Sequence, residues 1–288
     1  SIYGTMTNKA KIQKQGGGTG FDFSTLRANG SPVHGTGGMA SGPVSFMTLY
    51  NASTEAVRQG GGRRGANMGI LRVDHPDILE FITCKRDTTK ITNFNISVAI
   101  TDAFMAAVKN DDVYPLTDPR SFGDVATAPK GGIKDPYTGE TLVAEGAQSY
   151  LLARYVFNLI VKSAWTTGEP GIFFVDEANR HNPVPHMGAY RATNPCGEIP
   201  LLDYDVCNLG SINVGAFAHE GELYDWAGLA KVVRLAVRFL DNVIDANKYP
   251  LPEIENLAQR IRRIGLGVMG YADTLVRLGI SYDSDKAI

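Results

Sequence analysis

The chain has 288 residues, 43% of them hydrophobic, enough to bury a sizeable core, and one large α/β domain is the expectation from size, with two smaller ones as the alternative. Its 28 basic and 30 acidic residues leave a net charge of -2, so no global field draws it to nucleic acid or an anionic membrane, and any phosphate it binds must be gripped locally. No apolar run nears the roughly 20 residues of a membrane helix, no signal segment opens the chain, and Cys84, Cys196 and Cys207 are too few for a disulfide scaffold; a soluble cytoplasmic protein is expected.

Ser1-Ile2-Tyr3 runs straight into an amphipathic segment with no initiator Met and no cap before it, as if cut from something longer. Three glycine clusters follow, Gly16-Gly17-Gly18-Thr19-Gly20, Gly35-Thr36-Gly37-Gly38 and Gly60-Gly61-Gly62-Arg63-Arg64-Gly65. Adjacent glycines cost too much backbone entropy inside regular elements, so these are loops. Their N–H groups could cradle phosphate, yet none matches GxxxxGK[ST] or a clear GxGxxG between strand and helix. Between the second and third, Pro43 to Arg58 carries Phe46, Leu49, Tyr50 and Val57 at helical spacing.

Asn93 to Ile100 alternates polar and apolar residues, the pattern of a half-buried strand. From Tyr114 to Glu145, recurring Pro, Gly and Asp predict an exposed excursion able to hold hairpins. Leu151 to Ala164 is periodic as a helix that ends near Gly168-Glu169-Pro170-Gly171, and Gly171 to Asp176 reads as a buried strand. Asp225 to Lys248 places Leu229, Val232, Val233, Ala236, Phe239, Leu240, Val243 and Ile244 on one broad helical face. Ile264 to Gly270 is a tight apolar piece leading into a last helix. The alternation favours a parallel α/β sheet or barrel.

Chemistry concentrates in Asn194-Pro195-Cys196-Gly197-Glu198. Pro195 and Gly197 exclude regular helix, and in an extended loop residues two apart project to one side, so an amide, a thiol and a carboxylate would face one volume. A turn holding a buried structural cysteine is the other reading. Cys207 lies eleven positions on, too far for CxxC, with no ligand set at zinc spacing. Cys84, beside an apolar patch, reads as a packed thiol. His181 and His186 read as surface residues of a Pro-containing loop, and no metal site is expected.

Ala192 to Leu202, followed by Val206-Cys207-Asn208-Leu209-Gly210-Ser211-Ile212-Asn213, strongly resembles the active-site region of ribonucleotide reductases. Gly16 to Phe23, the Arg27 region, Gly60 to Met68, Asn93 to Ala99, Thr167 to Asn179 and Arg263 to Asp273 resemble further family segments in the family's order. The resemblance implies that residues 1–288 are part of a ten-stranded α/β barrel, with a finger loop at about 192–200 and the excursion at about 114–145. It implies that Cys196 carries a transient thiyl radical, Glu198 acts as base at the 3'-hydroxyl, and Asn194 positions the substrate hydroxyls beside Gly197. Cys207 would be one of two thiols that close a disulfide, its partner lying before Ser1 and the phosphate-gripping loop beyond Ile288.

Lys85 to Asn95 resembles the segment that relays effector identity to the substrate base, which puts Lys85, Arg86 and Asp87 there. Arg27 matches an effector-phosphate contact near a second loop around Gly35 to Ser41. The implied activity is allosterically controlled reduction of ribonucleoside di- or triphosphates for DNA precursor supply, with dNTP or ATP effectors, a thioredoxin-like reductant, the remainder of the catalytic subunit and a homodimeric partner. The wording of the cysteine motif is most like the adenosylcobalamin-dependent class. A catalytic subunit served by a separate metal-containing radical subunit is the alternative, and a non-catalytic nucleotide-binding fragment is the reading of another class.

Overall fold

The computed structural model describes residues 1–33, 37–57, 65–120, 123–219 and 223–288. The loops expected at Gly35-Thr36 and Gly60-Gly61-Gly62 lie outside them. The chain divides into two units, Ser1–Leu202 and Asp203–Ile288.

The first unit opens with α1 (Ile2–Lys14), β1 (Thr19–Asp22), α2 (Gly42–Ala56), β2 (Asn67–Arg72), α3 (Ile78–Thr83) and β3 (Phe94–Ile100). The expected lack of a cap is corrected: Ser1 itself caps α1, its hydroxyl accepting the Gly4 N–H at 3.1 Å. Next come α4 (Asp102–Asn110), β4 (Val113–Pro115), β5 (Ile133–Lys134), β6 (Thr141–Val143), β7 (Tyr150–Leu152), α5 (Ala153–Thr167), β8 (Gly171–Phe174), α6 (Val175–Arg180), β9 (Ala192–Thr193) and β10 (Pro200–Leu201).

Strands β1, β2, β3 and β8 form one parallel sheet in that order. Two expectations change here. β3 is buried at every position except Asn95, because a central parallel strand is covered on both faces. The stretch from Gly171 is strand only as far as Phe174, and just Phe173 is buried, because β8 stands at the end of the sheet within this unit.

The core lies between sheet and helices, with Leu71, Ile78, Phe81, Phe94, Val98, Phe104 and Ile160 nearly or fully buried. Phe21, Phe23, Tyr50 and Phe94 meet ring to ring, the Phe21–Tyr50 centroids being 5.2 Å apart and edge-on. A polar network runs through this core. Lys9, 1% exposed, donates to the Tyr50 carbonyl (2.9 Å), the Thr54 hydroxyl (2.6 Å) and the Gln13 side chain (3.3 Å). Gln13, Thr19 and Thr54 in turn meet the fully buried Asn67. Burial pushes the Lys9 ammonium down to about 8, since its partners are neutral oxygens.

The segment from Tyr114 to Glu145 contains the antiparallel β5–β6 ladder and is closed at its base by β4 pairing with β7, which lies beyond Glu145. It sends Leu116, Ala128, Ile133 and Val143 into the core, so it is anchored on its inner side.

The second unit holds β11 (Asn208–Asn213), β12 (Ala218–His219), β13 (Leu223–Tyr224), α7 (Trp226–Ala246), α8 (Pro252–Ile261), β14 (Ile264–Met269) and α9 (Tyr271–Arg277). β11 pairs in parallel with β14. The apolar face expected on α7 buries only Leu240 and Ile244, while Phe239 is 65% exposed. Among the described residues no helix is long and apolar enough to cross a membrane.

Candidate active site

β9 runs antiparallel to β10, and the residues between them, Asn194 to Ile199, turn the chain. Asn194 closes that turn. Its N–H donates to the Ile199 carbonyl at 3.3 Å, its carbonyl accepts the Gly197 N–H at 3.0 Å, and its side-chain oxygen accepts the Ile199 N–H at 3.1 Å. Gly197 takes φ +87°, which a side chain would resist. The extended geometry drawn from residue spacing is therefore replaced by a closed turn, because an asparagine that bonds its own loop backbone competes with extension. Cys196, Gly197 and Glu198 are exposed at its tip.

The first glycine cluster seats this turn. A Cβ on Gly20 would lie 1.8 Å from the Thr193 carbonyl oxygen, and one on Gly18 would lie 2.6 Å from the Pro195 ring. The bare backbone of β1 thus lets β9 cross against it, a role for glycine distinct from phosphate binding. From β3, Asn95 donates its amide N–H to the Pro195 carbonyl at 2.7 Å, one residue before the thiol. The face of β3 that alternation marks as polar is turned to the cysteine turn.

Cys207 stands just before β11 in the second unit, its thiol 3.5 Å from the Asn208 carbonyl. All three cysteines are thiols. Cys84 packs against the core, and burial pushes it up to about 12, in keeping with an inert packed thiol.

Lys85, Arg86 and Asp87 go to separate partners. Lys85 turns inward, donating to the Phe94 carbonyl and pairing with Glu169, whose other oxygen accepts the Ile96 N–H at 2.9 Å. Arg86 reaches outward to the Pro136 carbonyl at 3.0 Å. Asp87 accepts from the Thr89 N–H and hydroxyl and faces Lys90 at 3.4 Å, contacts that hold its carboxyl below the usual range. The far end of the segment is fixed by Asn93, whose N–H donates to Asn51 of α2 at 2.8 Å.

Arg27 is exposed on the loop after β1, and that loop is gripped on both sides by residues spacing did not single out. The buried His75 accepts the Asp77 N–H on Nδ1 at 3.0 Å, so its Nε2–H donates to the Leu26 carbonyl at 2.9 Å. Asp77 accepts the Asn29 N–H at 2.8 Å, and its burial raises the carboxyl to about 6. The signal available was Asp74-His75-Pro76-Asp77 between two apolar stretches, where polar side chains are buried only with partners. His181 pairs with Glu177 at the surface and His186 is exposed. Among the described residues no three His, Cys, Asp or Glu side chains gather as a metal ion would require.

The family model for the ribonucleotide reductase barrel domain matches residues 1–288. The chain is 46% identical over its whole length to the vitamin B12-dependent ribonucleoside-diphosphate reductase of Thermoplasma acidophilum, covering 34% of that protein. Its identity to the enzyme of the same name from Mycobacterium tuberculosis is also 46%, over 38% of that protein. With the ribonucleoside-diphosphate reductase large subunit of vaccinia virus it shares 33% over 99% of the chain and 38% of the relative. The chain spans about a third of the length of these curated relatives. By a match that runs from its first residue to its last, the chain belongs to the ribonucleotide reductase family, within the barrel domain.

Proposed function

We propose that this chain is the portion of a ribonucleotide reductase that carries the radical cysteine, and that the complete enzyme reduces ribonucleoside diphosphates to 2'-deoxyribonucleotides for DNA synthesis. The observation that supports this most is the exposed Cys196 at the tip of a turn held by Asn194, seated on Gly18 and Gly20, and tied to Asn95. The diphosphate class follows the names of the relatives. In the full barrel of ten strands, the parallel sheet of the first unit and the β11–β14 pair of the second would each supply strands, with residues 192–200 as the finger.

A weak S–H bond lets sulfur hold an unpaired electron. Cys196, as a thiyl, takes the 3'-hydrogen atom of the ribose and becomes a thiol. Glu198, exposed on the same tip, accepts the 3'-hydroxyl proton. Asn194 keeps its amide N–H groups for a substrate hydroxyl, since its oxygen is spent on Ile199. The 2'-hydroxyl gains a proton and leaves as water. Cys207 and a second thiol from outside this chain supply the two electrons and both protons, one carried off in the water and one that ends on C2', and close a disulfide, which a thioredoxin-like protein then reduces. Cys196 finally returns its hydrogen atom to C3' and is a thiyl again.

Adenosylcobalamin supplies, when bound, the first radical by homolysis of its cobalt–carbon bond. The donor this chain brings to that exchange is Cys196, whose exposure suits hydrogen transfer to a group arriving from outside the sheet. The names of the relatives at 46% identity favour this source over a separate metal-containing subunit. Arg27, Arg86 and Asp87, all exposed, are the contacts proposed for a deoxynucleotide effector at a homodimer contact, with Lys85 fixing the start of their segment.

The test is turnover of a ribonucleoside diphosphate by the complete polypeptide with adenosylcobalamin and a dithiol. Replacing Cys196→Ser should cut deoxynucleotide formation by more than about a thousandfold with the fold unchanged by circular dichroism. Retained turnover in that variant would remove the radical role.

A further inference from the structure

The hairpin of β5 and β6 has no place in the proposed chemistry, yet its tip is built with care. Asp135 accepts the N–H groups of Tyr137 (2.7 Å) and Thr138 (2.8 Å) on one oxygen and the Tyr155 hydroxyl of α5 (2.6 Å) on the other. The turn is thereby fixed both internally and to the helix behind it. Two cations stand over the Tyr137 ring, the Arg86 guanidinium carbon and the Lys162 ammonium, each 4.0 Å from the centroid. Arg86 also donates to the neighbouring Pro136 carbonyl at 3.0 Å, across 50 residues of sequence.

Arg86 belongs to the segment Lys85 to Asn95. That segment is pinned at its start by Lys85 on Glu169 and at its end by Asn93 on Asn51. Between these points, Arg86 is the side chain that leaves the sheet region for the hairpin. A guanidinium that is both stacked and hydrogen-bonded has little freedom left, so the hairpin tip decides where this part of the segment lies.

We propose that Tyr137 is a specificity-positioning residue: the hairpin tip holds Arg86 and so sets the conformation through which a bound effector biases the choice of ribonucleotide base. This rests on the reading of Lys85 to Asn95 as the effector relay. The ring acts through Arg86 and touches neither effector nor substrate. Selection by an effector is a difference in free energy between segment conformations, and removing the stacking partner lets disfavoured conformations back in.

The experiment uses the complete polypeptide with pairs of competing ribonucleoside diphosphates, each pair assayed without effector and with each deoxynucleoside triphosphate. Tyr137 is exposed at a turn, so its replacement leaves the core intact. In Tyr137→Leu the effector-induced preference should fall about fivefold, the loss expected for exposed cation–π contacts, while effector-free turnover and melting temperature hold. Tyr137→Phe should keep the parent's preference, because the ring face and not the hydroxyl meets the cations. An unchanged preference in Tyr137→Leu, or an equal loss in Tyr137→Phe, overturns the proposal. Arg86→Ala separates the two levels. If it lowers the preference while Tyr137→Leu does not, the hairpin's role alone fails; if it too leaves preference unchanged, the relay reading fails with it.

Discussion

A single methyl group at Gly20 tests whether the bare backbone of β1 is what seats the cysteine turn. The built Cβ lies 1.8 Å from the Thr193 carbonyl oxygen and 3.0 Å from its carbon, and Cβ contacts under 3.0 Å do not occur. The oxygen must retreat by at least 1.2 Å, the difference between those two figures. No rotamer change relieves this, because both partners are backbone. If the turn moves as a body, the bond from Asn95 to Pro195 lengthens from 2.7 Å toward 3.9 Å and ceases to be a hydrogen bond. Forced overpacking costs about 1–3 kcal/mol, and the lost bond adds about 0.5–1.5 kcal/mol.

Gly20→Ala should therefore destabilise the first unit by about 2–4 kcal/mol, lowering its melting temperature by roughly 5–10 °C. On the proposed role of Cys196, a displacement of about 1 Å at its sulfur corresponds to a turnover loss on the order of a hundredfold in the complete polypeptide. The control is Gly267→Ala, whose Cβ would meet nothing nearer than the Ser211 hydroxyl at 3.7 Å, an ordinary contact. Calorimetry and single-turnover assays of both variants decide the matter. If Gly20→Ala melts with the parent and turns over normally, the close crossing of β9 on β1 does not position Cys196.

Two further outcomes follow from the same geometry. Asn95→Ala removes one exposed bond to the Pro195 carbonyl, so the melting temperature should stay within about 2 °C while kcat falls about tenfold at constant KM; Asn95→Asp, which sets a carboxylate against that carbonyl, should fall further, and equal kcat in all three proteins would deny Asn95 a positioning role. Lys9 is held down to about 8 in the fold against an ordinary 10.5, so between those pH values the unfolded chain binds more protons than the folded one and stability rises with pH. Lys9→Met should flatten that rise in urea titrations run from pH 7 to 10.5, and an identical pH profile in parent and variant would show that the buried ammonium is not the cause.

What was legible in the sequence follows the range of the forces involved. Helices α2, α5 and α7 repeat apolar residues at a local period, and the stop at Gly168 is a local backbone preference, so these elements were readable. Burial depends on neighbours far along the chain, which no single segment records. β3 was expected to be half-buried but lies mid-sheet, while the stretch from Gly171 was expected to be buried but supplies the last strand. Sheet order, which decides both, is not written in either segment.

The cysteine turn shows the same division more sharply. Pro195 and Gly197 announced irregular backbone, and the residue types announced chemistry, but an extended run and a closed turn predict different directions for Asn194. The choice is made by Asn194 itself, which bonds Ile199 because Gly18 and Gly20 leave room for β9 and Asn95 reaches the Pro195 carbonyl. Those partners come from 175 or so residues upstream and from a strand about 100 residues upstream, beyond any periodicity. Glycines that match no phosphate-binding motif are, at Gly18 and Gly20, spacers beneath the cysteine turn. The absence of a side chain records only that something approaches closely; whether that is a ligand or another strand is decided by the fold.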